Sequence, residues 1–256
     1  MNITILTNRD FPALLCANLL IPKLTSHTIS VLMTEQVGNP KNQAKGLQAL
    51  SKVDSALQGN LPNLGDKPMF GFDDLPNLGI PSKLVSSVRK EEGYQILRDT
   101  HPDFIISIRF GAILDERAIA VSPKGVLNLH SGILPDYRGV MATFWAMFNG
   151  ASYIGSTLHA ILDSSIDTGD IQFVDKVKTK RHCCYFSNVV RLYLSAIPRL
   201  LITIENIAQG HVFSGIEQAA KGSYFTYPDD DTLIQFEKKG HILADEQAVR
   251  QLLLNP

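Results

Sequence analysis

The sequence predicts an α/β fold on an open, mostly parallel sheet with a short C-terminal appendage. Three observations predict it. Short β-branched apolar runs occur at Ile3–Leu6, Ile29–Met33 and Asp103–Ile108, helix-like stretches separate them, and the 256-residue chain is 45% hydrophobic. Strands alternating with helices are the pattern of parallel sheets, and this length can bury one large core but not many domains.

Taken in order, Ile3–Leu6 reads as a strand, Asn8-Arg9-Asp10 as a polar turn, and Leu14, Leu15, Ala17, Leu19, Leu20 and Leu24 as the apolar positions of a helix. Ile29–Met33 is a second strand. Residues 36–82 are rich in Gly, Pro and Asn and carry Leu-Pro-Asn-Leu-Gly twice, at 61–65 and 75–79. They read as an irregular insertion with a pair of similar turns, the alternative being a contribution to a substrate pocket. A charged helix from about Lys83 to Asp99 leads into the third strand. Then follow a strand at Gly125–His130, a loop at Ser131–Val140, a helix at Met141–Asn149, extended runs at Ile154–Leu162 and Ile171–Lys178, and a helix from about Ser187 to Gln209. Gly210 suits the stop of that helix, because glycine tolerates the left-handed conformation just past a helix end. These elements make one domain over 1–210 and a short extension over 211–256, in which Asp229-Asp230-Asp231 before Leu233–Phe236 predicts a capped helix.

Lys and Arg number 24 against 25 Asp and Glu, for a formal net charge of −1. With no basic field to gather a polyanion, nucleic acid is disfavoured and a small molecule is the default partner. The longest apolar run, Leu194–Ile207, is interrupted by Ser195, Pro198, Arg199, Thr203 and Glu205, so no membrane span is expected. No secretory signal follows Met1, and Cys16, Cys183 and Cys184 make no disulfide framework; a cytoplasmic location is expected.

The chemistry concentrates in Gly125-Val126-Leu127-Asn128-Leu129-His130-Ser131-Gly132-Ile133-Leu134-Pro135-Asp136-Tyr137-Arg138-Gly139. Side chains alternate along a strand, so Asn128 and His130 share one face while Leu127 and Leu129 pack on the other. An amide and an imidazole then stand at the carboxyl end of a parallel strand, where open α/β sheets place ligands. A second polar cluster, His159 to Asp170, holds Asp163, Asp167 and Asp170. A carboxylate from it beside His130 would favour the charged imidazole.

Other motifs have plainer readings. Asp167-Thr168-Gly169 also occurs in aspartic proteases, but a single copy in an α/β chain does not build their carboxylate pair. His182-Cys183-Cys184 has no second ligand pair at finger spacing and reads as a surface hairpin. No Gly-x-Gly-x-x-Gly follows the first strand, which disfavours a dinucleotide. Met141, Phe144, Trp145 and Phe148 read as core, and Tyr224, Phe225 and Tyr227 as packing of the C-terminal segment rather than a stacking platform.

The ordered set Asn-x-His, Leu-Pro-x-Tyr-Arg-Gly, His159 and Asp-Thr-Gly-Asp, spread over about Pro102–Lys178, resembles the folate-dependent formyltransferases, which include methionyl-tRNA, glycinamide ribonucleotide and nucleotide-sugar enzymes. The resemblance implies a Rossmann-like sheet of the formyltransferase type and an Asn128, His130 and Asp167 triad. It also implies a folate pocket at Phe110, Gly111, Ile113 and Leu114, and a loop of Leu162, Asp163, Ser164, Ser165 and Ile166 closing over the pterin. Ser131, Arg138 and Gly139 are expected on the acceptor side, Pro135 is expected in cis, and homodimers are common in the family. His159 and Asp167 stand eight apart, one more than the family spacing, which leaves Asp163 as the other carboxylate that could face His130.

The implied reaction moves the formyl group of 10-formyltetrahydrofolate to a primary amine without a metal, with Asn128 and His130 as oxyanion donors and Asp167 holding the charged His130. Only 86 residues run from Ile171 to the end, short for the family's tRNA-binding barrel, so the expected acceptor is a small-metabolite amine, by elimination an amino-sugar nucleotide. The alternatives are a 10-formyltetrahydrofolate hydrolase and a non-catalytic folate or nucleotide-sugar binding protein.

Overall fold

The computed structural model describes residues 1–35, 44–212, 214–218 and 222–255. The chain opens with β1 (Asn2–Asn8), α1 (Phe11–Leu20) and β2 (Thr28–Thr34). Asp10 caps α1 by accepting from the Ala13 N–H, and Pro12 sits in the first turn, where a missing N–H costs nothing. The helix ends four residues before the expected Leu24, because Pro22 has no N–H to continue the ladder.

Within the expected irregular insertion the structure forms α2 (Gln48–Gly59) and a small hairpin of β3 (Asn63–Leu64) and β4 (Lys67–Pro68). Residues 36–43 of that insertion lie outside the described residues. Both Leu-Pro-Asn-Leu-Gly copies do end in turns, with Gly65 at φ +59° and Gly79 at φ +75°, a region open to glycine.

The expected helix over 83–99 is corrected. Its start is β5 (Ser82–Leu84), paired with Val31–Met33, and the helix proper is α3 (Glu91–Arg98). The open edge of β2 takes up the chain before it can coil, and exposed Lys83 protects the new edge. Next come β6 (Phe104–Ile108), α4 (Glu116–Ile119), β7 (Val126–His130), β8 (Tyr137–Gly139), α5 (Ala142–Phe148), β9 (Tyr153–Ala160) and β10 (Ile171–Lys178).

The chain finishes with α6 (Tyr185–Ala208), β11 (Ser223–Phe225), α7 (Asp230–Lys238) and α8 (Glu246–Leu254). The surface hairpin expected at His182–Cys184 is instead a turn into α6, whose N-cap is the buried Cys184. Gly210, at φ +90°, ends that helix, and Asp229 caps α7, both as the sequence predicts.

The main sheet has seven strands in the order β10-β9-β7-β6-β1-β2-β5. From β7 to β5 every pairing is parallel, whereas β9 is antiparallel to both β7 and β10. The larger core packs Ile3, Ile5, Phe104, Ile106, Leu127 and Leu129 against α1, α5 and α6. The smaller one packs Leu6, Leu32, Ile105 and Val126 against α3 and α4. The sheet is therefore covered on both faces, as parallel strands require.

The C-terminal segment is part of this body. The ring of Phe236 of α7 packs at a tilt, 4.4 Å from that of the fully buried Phe144, and the Gly65 N–H donates to the Leu253 carbonyl of α8. Phe144 also meets Trp145, Phe148 and Tyr185, so the aromatic positions of α5 are core, as expected. Phe144→Ala is expected to cost about 3–5 kcal/mol, the usual penalty for an aromatic cavity, measured as a lowered urea midpoint.

Candidate active site

The carboxyl ends of β1, β6 and β7 open into one cavity of about 710 Å³. Each strand end, and the loop after it, contributes. Asn8 and Asp10 come from β1 and its loop, Arg109 to Leu114 from the segment after β6, and Asn128 to Ser131 from β7. Gly139 ends β8, Val140 and Met141 follow it, and β9 supplies His159.

At the centre lies a chain of polar contacts. The register sets Asn128 directly across from His159, and the Asn128 Nδ2 lies 3.0 Å from His159 Nε2. The other His159 nitrogen, Nδ1, donates to the Ala160 carbonyl at 2.9 Å. Asp167 lies between the two imidazoles. Its Oδ1 is 3.3 Å from His159 Nε2, and its Oδ2 is 3.5 Å from His130 Nδ1 and accepts the Gly139 N–H at 2.8 Å. The His130 Nε2 in turn donates to the Tyr137 carbonyl at 2.7 Å.

Local backbone makes these contacts attainable. Asp167 stands at φ +56°, a conformation that Asp and Asn accept more readily than other non-glycine residues. A Cβ on Gly169 would lie 2.0 Å from the Ala160 carbonyl oxygen, so only glycine lets the loop fold back along the end of β9. A Cβ on Gly132 would lie 2.6 Å from His130 Nε2 and 2.5 Å from the Tyr137 oxygen, the two atoms that are bonded there. The Leu134–Pro135 bond is cis, as expected.

Burial alone would raise the Asp167 carboxyl. The charge of His130, the hydrogen bond and charge of His159, and the Gly139 N–H outweigh it and hold its pKa at about 2. Asp167 is thus ionised throughout the neutral range. Asp163, in contrast, is exposed and accepts the Ser165 N–H. Of the two candidate carboxylates, the geometry selects Asp167.

Asn128, His130, Asp167 and, of the residues expected around the folate, Phe110, Gly111, Ile113, Leu114, Asp163, Ser165 and Ile166 all line the cavity, as do Ser131 and Gly139. Leu162, which is 61% exposed, and Ser164 do not. Nor does Arg138. Its guanidinium turns to the Gly222 carbonyl and pins the C-terminal segment to the loop, where β8 pairs with β11. Phe225 stacks on Trp145 and Tyr137, but Tyr224 and Tyr227 reach the cavity, so only part of that aromatic group is packing.

A family model described as formyl transferase matches residues 29–183, more than half of the chain. The chain belongs to the formyl transferase family. It is 30% identical over 161 residues to a GDP-perosamine N-formyltransferase of Brucella melitensis, covering 60% of this chain and 61% of that one. It is 37% identical over 143 residues to the methionyl-tRNA formyltransferase of Clostridium tetani, covering 56% and 40%. The chain thus matches less than two thirds of either relative's length. The N-formyltransferase of Helicobacter canadensis, solved with folinic acid and dTDP-3-aminofucose, shares the fold: the TM-score is 0.57 at 15% identity, over 91% of this chain and 72% of that one.

Several cavity residues escaped the sequence reading. His159 was visible in a polar cluster but had no role until the antiparallel register put it beside Asn128. Asp10 and Arg109 stand within two residues of strand ends, a position that by itself marks ligand sites in parallel sheets. Asp54 comes from α2, so the insertion does shape the pocket, the reading held as the alternative.

Asp54 accepts from the Phe11 N–H and from Gln58, yet burial and the neighbouring Asp10 charge push its carboxyl up to about 6. A folded-state pKa above the unfolded value means that ionising this group opposes folding, so stability falls as pH rises from about 4 through 6. Asp54→Asn is expected to be more stable than the parent at pH 8 by the order of 2 kcal/mol and equal to it at pH 4. Urea midpoints at the two pH values check this.

Proposed function

We propose that the protein transfers the formyl group of 10-formyltetrahydrofolate to a primary amine, and that the acceptor is an amino-sugar nucleotide. The observation that carries this reading is the contact chain Asn128–His159–Asp167–His130 at the carboxyl end of β7, inside a cavity of substrate size. The folate suits the donor side of that cavity. Phe110, Ile113, Leu114 and Ile166 make an apolar wall there, and Ile113 and Ile166 are 42% and 38% exposed, apolar surface that a flat ring would cover. When bound there, the donor supplies the formyl carbon and a nitrogen leaving group.

The contact with His159 holds the Asn128 side chain in place, and its amide supplies a hydrogen to the formyl oxygen as that oxygen gains charge. His130 is anchored through Nε2 on the Tyr137 carbonyl, and Asp167 stabilises a proton on its Nδ1. The pair thereby supplies positive charge near the developing oxyanion, and the Asp167 carboxylate, the member with lone pairs to spare, is the route for the proton that the attacking amine sheds. The opposite wall, with Glu35, Ser51, Asp54 and Ser55, offers carboxylates and hydroxyls suited to an amine and to sugar hydroxyls. The 30% identity to a GDP-perosamine enzyme supports the amino-sugar acceptor.

A cytoplasmic location accords with three free thiols, and no described helix is long and apolar enough to cross a membrane.

Incubation with 10-formyltetrahydrofolate and GDP-perosamine or dTDP-3-aminofucose is expected to release tetrahydrofolate in an amine-dependent manner. His130→Ala and Asp167→Asn should abolish that release, and Asn128→Ala should lower kcat by about 10²–10³. Release that ignores the amine would make the protein a hydrolase, and tight folate binding without turnover would make it a binding protein.

A further inference from the structure

Next to the strand that carries Asn128 and His130, the ends of three neighbouring strands, β6, β1 and β2, are joined by a closed ring of hydrogen bonds. The Gly111 N–H, after β6, donates to Thr34 Oγ1 at the end of β2 at 2.9 Å. Thr34 Oγ1 donates to Asn8 Oδ1 at 3.0 Å, and Asn8 Nδ2 donates to Asp10 Oδ2 at 2.8 Å. Arg109 closes the ring. Its Nε lies 2.9 and 3.0 Å from the two Asp10 oxygens and its Nη2 2.9 Å from Oδ2, and Arg109 is separated from Gly111 only by Phe110.

Two features exceed what a simple staple between strand ends needs. Arg109 stands at φ +62°, a left-handed conformation that costs a non-glycine residue roughly 1 kcal/mol. Its side chain and that of Asp10 are also only 23% and 15% exposed, a fork held largely away from water beside Tyr185, Tyr193 and Cys16. Burial would depress the guanidinium, yet the Asp10 carboxylate holds it well above its ordinary value. The cation is therefore spent on Asp10 and is no anchor for a phosphate. What the pair does set is a distance: Arg109 begins the donor-side segment, Asp10 begins the opposite wall, and Asn8, Asp10, Arg109 and Gly111 all face the cavity.

We infer that Asp10 and Arg109 are a positioning pair that sets the spacing between donor segment and acceptor wall, so that an amine rather than water meets the formyl carbon. This rests on the formyl-transfer reading above. In both outcomes the bond from the formyl carbon to the folate nitrogen breaks and that nitrogen takes up a proton. In transfer the new bond is to the acceptor nitrogen, which loses a proton; in hydrolysis it is to water oxygen, and formate leaves. A looser pair mis-sets the amine, which needs a defined approach, more than it hinders water.

The test is the ratio of formylated amine to formate produced from 10-formyltetrahydrofolate with GDP-perosamine or dTDP-3-aminofucose, in the parent, Arg109→Lys and Asp10→Asn. Arg109→Lys keeps the charge and loses the fork. Both variants are expected to lower the ratio about tenfold or more while leaving folate affinity within about threefold of the parent. A merely structural role would lower both products together as folded protein is lost, and an unchanged ratio overturns the inference. A parent that yields only formate with both amines overturns the transfer reading itself, an outcome distinct from a transferring parent whose variants keep its ratio.

Discussion

A carboxylate taken out of water is costly unless charge and hydrogen bonds surround it, and Asp167 is only 8% exposed. The rest of the site can be understood as what makes that position tenable. His130 and His159 approach its two oxygens, and the Gly139 N–H fills the remaining gap. Each of those partners is in turn fixed by main chain: His130 by the Tyr137 carbonyl, His159 by the Ala160 carbonyl, and Gly139 by its strand pairing with Phe225. The carboxylate thus binds together a strand end, an antiparallel neighbour, a returning loop and the C-terminal segment.

The reversal of strand direction at β9 matters for the same reason. An antiparallel partner places residues directly opposite one another, and this register sets His159 against Asn128. Strain gathers around the same cavity: Arg109, Met141 and Asp167 all have positive φ and all line it. Residues held in sparsely populated backbone regions persist only where their surroundings over-determine them. Here the surroundings are the Asp10 fork on one side and the two histidines on the other.

The Asn128–His130–Asp167 centre lies within the portion that matches the family model, residues 29–183, as do Glu35, Ser51, Asp54 and Ser55 on the cavity, whereas other cavity residues come from outside it. The loop Asn8–Asp10 precedes that portion, and Tyr185, Tyr193, Tyr224 and Tyr227 follow it, all of them on the cavity. Folds host many chemistries, and substrate choice is made by what is placed around a shared centre.

The sequence by itself determined the alternation of strands and helices, the pairing of Asn128 and His130 on one face, and the caps and stops at Asp229 and Gly210. These depend on neighbours a few residues apart, through the periodicity of side chains and the backbone preferences of single residues. It could not decide where a helix yields to an edge strand, as at Lys83–Leu84, because that depends on the open side of β2. Nor could it show that Asp167 rather than Asp163 faces the histidines, that Arg138 serves Gly222, or that Asp10 and Arg109, 99 positions apart, meet in a fork. Contacts between distant positions follow from sheet order, strand direction and loop return. Only the tertiary structure supplies those, since each is a property of the assembled layers rather than of any local stretch of chain.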